Sequence, residues 1–196
     1  MAGKPGKKEK SKTTFTVHGP FEIPVKKGKG GKGIDKDKLS EFWSEIANAK
    51  GIADKNGCYV FSVRLSKGAI KPWYVGKTSS CFRAECFADH KRTKYDEVLR
   101  DYGACTPVLF LLVSSVPQAK NRISDLEKFF IDLAVTANPE IQQTKDVPRP
   151  EWTIPGVTES NGKGGVPTAV LSLRKAFGLK PPPKKAATKK KRTRKA

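Results

Sequence analysis

The sequence predicts an α+β domain in which a small antiparallel three-stranded sheet is flanked by helices, with disordered basic tails at both ends. Three observations carry this. Apolar residues recur at helical spacing in two long stretches, three separate runs are rich in β-branched and aromatic residues, and lysine crowds the two ends. A chain of 196 residues has room for one ordinary domain plus extensions.

Residues 1–37 form a Gly- and Lys-rich segment expected to be mostly disordered. Its stretches 1–12 and 26–33 (KKGKGGKG) hold too few apolar side chains to offset the entropy of ordering them. Between them, FTVHGPFEIP has the aromatic and β-branched content of a short docked strand. Leu39, Phe42, Trp43 and Ile46 follow at i, i+3, i+4 and i+7, which predicts an amphipathic helix over 38–50. GCYVFSVRL at 57–65 alternates along its length, and PWYVG at 72–76 is β-prone after a turn at 66–71, so the two read as neighbouring antiparallel strands.

Ser79 or Ser80 can cap a helix running through Phe82, Cys86, Phe87 and His90, and 95–102 is a further helical piece that Gly103 stops. PVLFLLVSS at 107–115 is nearly continuous in apolar residues, as a central strand covered on both faces would be. Ile123, Leu126, Phe129, Phe130 and Leu133 predict a long helix over 119–137, ended by Asn138 and Pro139. The domain thus spans 38–147. Residues 148–179 read as an arm with a short helix at 166–177, and 180–196 as a disordered Lys/Arg-rich tail.

The net charge of +20 implies a polyanionic partner, and nucleic acid, such as DNA met through its phosphate backbone, is the first candidate. The charge is unevenly placed. Residues 1–38 carry eleven Lys against four acids and 180–196 carry nine Lys or Arg against none, which leaves +4 for 39–179 (20 − 7 − 9). The folded part is mildly basic, and the tails are the electrostatic handles. The beginning of the chain lacks an apolar signal core, and the longest apolar run, 108–113, is far short of the roughly 20 residues of a membrane span. A cytoplasmic protein is expected, on the nucleoid in a bacterium or in the nucleus in a eukaryote, with no membrane partner. Oligomeric state is not encoded in these patterns. Cys58, Cys81, Cys86 and Cys105 are expected as reduced thiols, and the spacing of Cys81, Cys86 and His90 does not match a tight zinc knuckle.

Five features fall in one order: Gly57-Cys58-Tyr59, then Tyr74-Val75-Gly76-Lys77, then Arg83, Glu127 and Asn138. Over roughly 57–140 this resembles the GIY-YIG nuclease family, with Cys58 departing from the signature at a position whose side chain points to the opposite strand face. The resemblance implies a metal-dependent endonuclease. Glu127 would hold Mg²⁺ or Mn²⁺, Tyr59 would orient or deprotonate the attacking water, Tyr74 would hold the scissile phosphate and Arg83 would supply a planar cation to the transition state. Gly76, Lys77 and Asn138 would complete the substrate-binding set, and His90, outside that pattern, is expected to contact the DNA backbone or to be a plain surface histidine. Tyr59 and Tyr74 are fifteen positions apart, a wide spacing that the 66–71 turn absorbs. Arg83 comes nine positions after Tyr74 where the pattern has ten, and one residue on a helix turns a side chain by about 100°. The alternative is a non-catalytic DNA-binding or nucleoid-associated protein on an inactive version of the same fold.

Overall fold

Strand β6 (Cys105–Ser114) runs through the middle of the sheet because its apolar run can be covered on both faces, and Val108 to Leu112 are fully buried. The computed structural model describes residues 13–28, 30–116, 120–138, 152–159, 161 and 165–181, without the side chains of 47–50. On one side β6 pairs antiparallel with β4 (Gly57–Leu65), which pairs antiparallel with β5 (Ile70–Thr78). These are the three strands that the sequence predicts. On its other side β6 pairs antiparallel with β1 (Thr13–Glu22), and β1 pairs in parallel with the two-residue β7 (Trp152–Thr153).

The sheet is therefore five-stranded and mixed, in the order β5-β4-β6-β1-β7, and the expected three-stranded antiparallel sheet is corrected. The physical reason is nonlocal. Phe15 and Val17 pack inward only because β6 offers an edge about a hundred residues away, and Trp152 closes on Phe15 and Phe129 at ring-centroid distances of 6.0 and 5.2 Å. Local periodicity cannot show that an edge is waiting. The 148–179 arm is likewise part of the core where it is described, since Trp152 and Ile154 are buried.

A second sheet pairs β2 (Val25–Gly28) with β3 (Gly31–Ile34), where the sequence predicts disorder. Its order comes from helix α3 (Asp89–Tyr102) and from one buried apolar residue of its own, Ile34. Asp96 accepts from the Ile34 N–H at 2.8 Å, Lys32 donates to the carbonyls of Gly103 and Cys105, and the bare Gly31 and Gly33 let Arg100 and Asp96 close against the hairpin. Residues 1–12 and 182–196 lie outside the described residues.

Two layers cover the five-stranded sheet. Helices α4 (Lys120–Ala137) and α5 (Thr168–Ala176) pack on one face through Ile123, Leu126, Phe130, Val170 and Leu173, against Cys58, Val60 and Phe110. Helix α1 (Leu39–Lys50), the short α2 (Phe82–Glu85) and α3 pack on the other, around Tyr59, Phe61 and Tyr95. Each fully buried Leu or Phe contributes roughly 1.5–3 kcal/mol.

The helix expected from Ser79 through His90 is two helices, because Ala88 is extended (ψ 145°) between them. The serines do not cap. Thr78 Oγ1 accepts from the Ser80 N–H at 3.1 Å and lies 3.2 Å from the Cys81 carbonyl to which it donates, so this corner is a hydrogen-bonded turn. Arg83 and His90 consequently lie on different helices.

Candidate functional site at the edge strand

Strand β5 is the outer strand of its side of the sheet, and Lys71, Pro72 and Lys77 along it are residue types that discourage a further strand from pairing there. Alternation divides its side chains. Tyr74 and Gly76 face the α3 layer together with Tyr59, while Val75 and Lys77 face the α4 layer with Cys58.

On the α3 side Tyr59 is fully buried, opposite Gly76 in the strand register. Its ring lies across that glycine: a methyl built on Gly76 would be 2.9 Å from Tyr59 Cε2 and would overlap the hydroxyl. Tyr59 stacks on Tyr74 with centroids 6.3 Å apart and planes at 25°. Lys91 Nζ lies 5.3 Å from the centre of the Tyr59 ring. Lys91 is only 4% exposed and is held by the Glu85 carboxylate and, at 3.1 Å, by the Glu85 carbonyl. Burial pushes the Tyr59 phenol far above the usual range, and the neighbouring Tyr95, Cys86, Tyr74 and Glu85 push the same way. Tyr95 and Cys86 are shifted upward for the same first reason.

Tyr74 is half-buried, with Lys94 Nζ 5.6 Å from its ring centre. Its phenol is pushed up by burial, then by the charges of Glu127 and Glu85, so both carboxylates bear on it from opposite layers. On the α4 side Lys77 Nζ and Glu127 Oε2 meet at 2.9 Å, with the carboxylate 12% and the ammonium 43% exposed. One turn before Glu127, Ser124 and Ile123 line a cavity of about 300 Å³. Lys77, Thr78, Ser79 and Ser80 from the end of β5, Glu85 from α2 and Lys120 from α4 complete its wall.

The structure thus brings Tyr59, Tyr74, Gly76, Lys77 and Glu127 to one strand edge, split between the two faces of the sheet. It does not bring Arg83 there. Its guanidinium is engaged by Asp54, at 3.1 Å from Nε and 3.4 Å from Nη2. His90 is exposed near the start of α3. Asn138 is fully buried and donates from Nδ2 to the Pro72 carbonyl at 2.8 Å, which ties the end of α4 to β5.

Sequence reasoning missed Lys91 and Glu85. A signal existed for Lys91, which shares the i, i+4, i+8 stripe of α3 with the buried Tyr95 and Leu99. A charge in an apolar stripe needs a partner. For Glu85 there was none, because a four-residue helix gives no periodicity.

The four cysteines are free thiols, and burial raises those of Cys58 and Cys86 well above the usual range. Among the described residues no three His, Cys, Asp or Glu side chains cluster as a metal-ligating set, and no helix is long and apolar enough to cross a membrane. No protein-family model matches the chain, and neither the curated proteins nor the solved structures give a match.

Proposed function

We propose that the protein is a metal-dependent endonuclease that hydrolyses phosphodiester bonds of DNA at the outer edge of β5, with Glu127, Lys77 and Tyr74 as its working groups. The observation that carries this reading is the 2.9 Å Lys77–Glu127 pair beside a cavity whose other cation is Lys120. Lys77 keeps enough exposure to meet a phosphate oxygen. Tyr74, held protonated by burial and two carboxylates, donates a hydrogen bond to phosphate rather than taking a proton. Lys77 then supplies the cation that the five-part motif assigns to Arg83, whose guanidinium is turned to Asp54.

In this reading Glu127, which Lys77 meets at 2.9 Å, would be the one protein ligand of Mg²⁺ or Mn²⁺, with water and phosphate oxygens as the remaining ligands, since Mg²⁺ sheds its water reluctantly. When bound, the ion would stabilise charge on the phosphoryl and leaving oxygens. Tyr59 is a positioning residue in this reading: it is enclosed and protonated, and it fixes the Tyr74 ring by stacking. The basic ends add affinity without choosing a sequence. With DNA as substrate, the place of action is the cytoplasm or nucleoid of a bacterium, or the nucleus of a eukaryote.

A second reading, a DNA-binding protein without catalysis, is favoured by the complete burial of Tyr59 and by the Arg83–Asp54 pair. Plasmid incubated at low salt with Mg²⁺ or Mn²⁺ separates the two. The nuclease reading expects nicking by the native chain and none by Glu127→Gln, with DNA binding by both. Equal and intact plasmid for the two proteins leaves only the binding reading.

A further inference from the structure

We propose that the cavity between the end of β5 and the start of α4 is a phosphomonoester subsite, which takes the terminal phosphate of a nucleic-acid strand or of a free nucleotide; this rests on the reading of the edge strand as a nucleic-acid site. The lining chemistry is that of an anion site. Lys77 and Lys120 approach from two different elements with the Ser79 hydroxyl between them in the wall, while the Ser124 hydroxyl donates to the Lys120 carbonyl at 3.1 Å and the Ser80 hydroxyl lies 3.2 Å from Thr78 Oγ1. The Ser79–Ser80 corner is fixed by the hydrogen bonds of Thr78, so the wall that carries Ser79 is shaped before a ligand arrives.

Helix α4 adds to this. Its first turn lines the cavity through Lys120 and Ile123. Most helices place acids there to balance the dipole. The first turn of α4 has none, and carries Lys120 and Arg122 instead. The opposing carboxylates are each engaged by an ammonium, Glu85 by Lys91 and Glu127 by Lys77. With Lys77 so offset by Glu127, the positive balance at the cavity is carried by Lys120.

Size narrows the ligand. About 300 Å³ is at the lower limit of small-ligand clefts, enough for a phosphate with part of its sugar and too little for a duplex. Ser124 precedes Glu127 by three residues, roughly 4.5 Å along the helix axis. An end phosphate seated by Lys120 next to Ser124 would set the adjoining phosphodiester beside the Lys77–Glu127 pair. The substrate class that follows is a phosphorylated single-stranded end.

Fluorescence anisotropy without added metal, at about 0.15 M salt, tests this with the full chain and short single strands of one sequence. The strands carry a 5′-phosphate, a 3′-phosphate or only hydroxyl ends. One of the phosphorylated strands is expected to bind about tenfold more tightly than the hydroxyl strand. The ratio should fall close to one in the Lys120→Ala/Ser124→Ala double variant, whose changes fall at the exposed Lys120 and the half-buried Ser124, and far-UV circular dichroism checks its fold. Displacement by a nucleoside monophosphate at similar affinity assigns the site to a free nucleotide; no displacement, with the ratio intact, assigns it to strand ends. Equal binding of all strands to the native chain, or a ratio that survives in the folded double variant, overturns the proposal. Plasmid nicking is scored separately. A phosphate preference without nicking removes the nuclease reading alone, and nicking without a preference removes this subsite alone.

Discussion

The ring of Tyr59 occupies the space that any side chain at Gly76 would need, and the two residues face each other directly across β4 and β5. The small residue in the Tyr-Val-Gly-Lys segment is thus explained by packing. Gly76→Ala is expected to destabilise the fold by about 1–3 kcal/mol through overpacking, seen as a Tm lower by several degrees. Adding Tyr59→Leu to that chain should restore part of the loss. An alanine variant with the native Tm would refute the relationship.

Lys91 and Glu85 make the second test. Removing one partner strands a charge in a largely enclosed place, but Glu85 keeps 38% side-chain exposure, which moderates the penalty. A double-mutant cycle with Lys91→Met and Glu85→Gln, followed by urea unfolding, should give a coupling energy of about 1–2 kcal/mol. Strict additivity would mean that the pair has no structural weight.

Alkaline pH gives a third. Tyr59 and Tyr95 have phenols raised by burial in the folded chain, so above pH about 10 the unfolded chain releases protons that the folded chain keeps. The stability from these groups is fully present below that pH and falls above it, by about 1.4 kcal/mol per pH unit for each. The buried thiols of Cys58 and Cys86 start the decline about one unit earlier. Far-UV circular dichroism should show cooperative alkaline unfolding, with tyrosinate absorbance rising in the same transition. Full tyrosine ionisation in a chain that stays folded would contradict the burial of these rings.

A fourth prediction separates the cations. Arg83→Ala breaks a surface pair with Asp54 and is expected to change plasmid nicking less than about tenfold. Lys77→Met and Glu127→Gln should each lower it by about a hundredfold or more. A rank order with Arg83 as the most damaging site would return the transition-state cation to that residue.

Much of the framework was legible in the sequence. The helix at 39–50, the strand at 57–65, the central strand and the long helix that ends at Ala137 are where apolar spacing puts them, because each buries one face or both against the same core. The site was legible only as a set of residue types in order. The fold places Tyr74 and Lys77 on opposite faces of β5, with Glu127 against Lys77, Tyr59 enclosed on β4 behind Tyr74, and Arg83 turned to Asp54, none of which the order could report.

What the sequence by itself determined is local: the period of each main element, the turn that joins β4 to β5, and the concentration of positive charge in the two ends. What only the tertiary structure decided is every pairing between distant segments. Strand β1 finds β6, the glycine-rich hairpin finds Asp96, Arg83 finds Asp54, and Lys91 is drawn under Tyr59. The physical reason is that periodicity reports which face of a segment is apolar, whereas a strand edge or a charge is satisfied by whichever partner the fold brings within hydrogen-bonding distance.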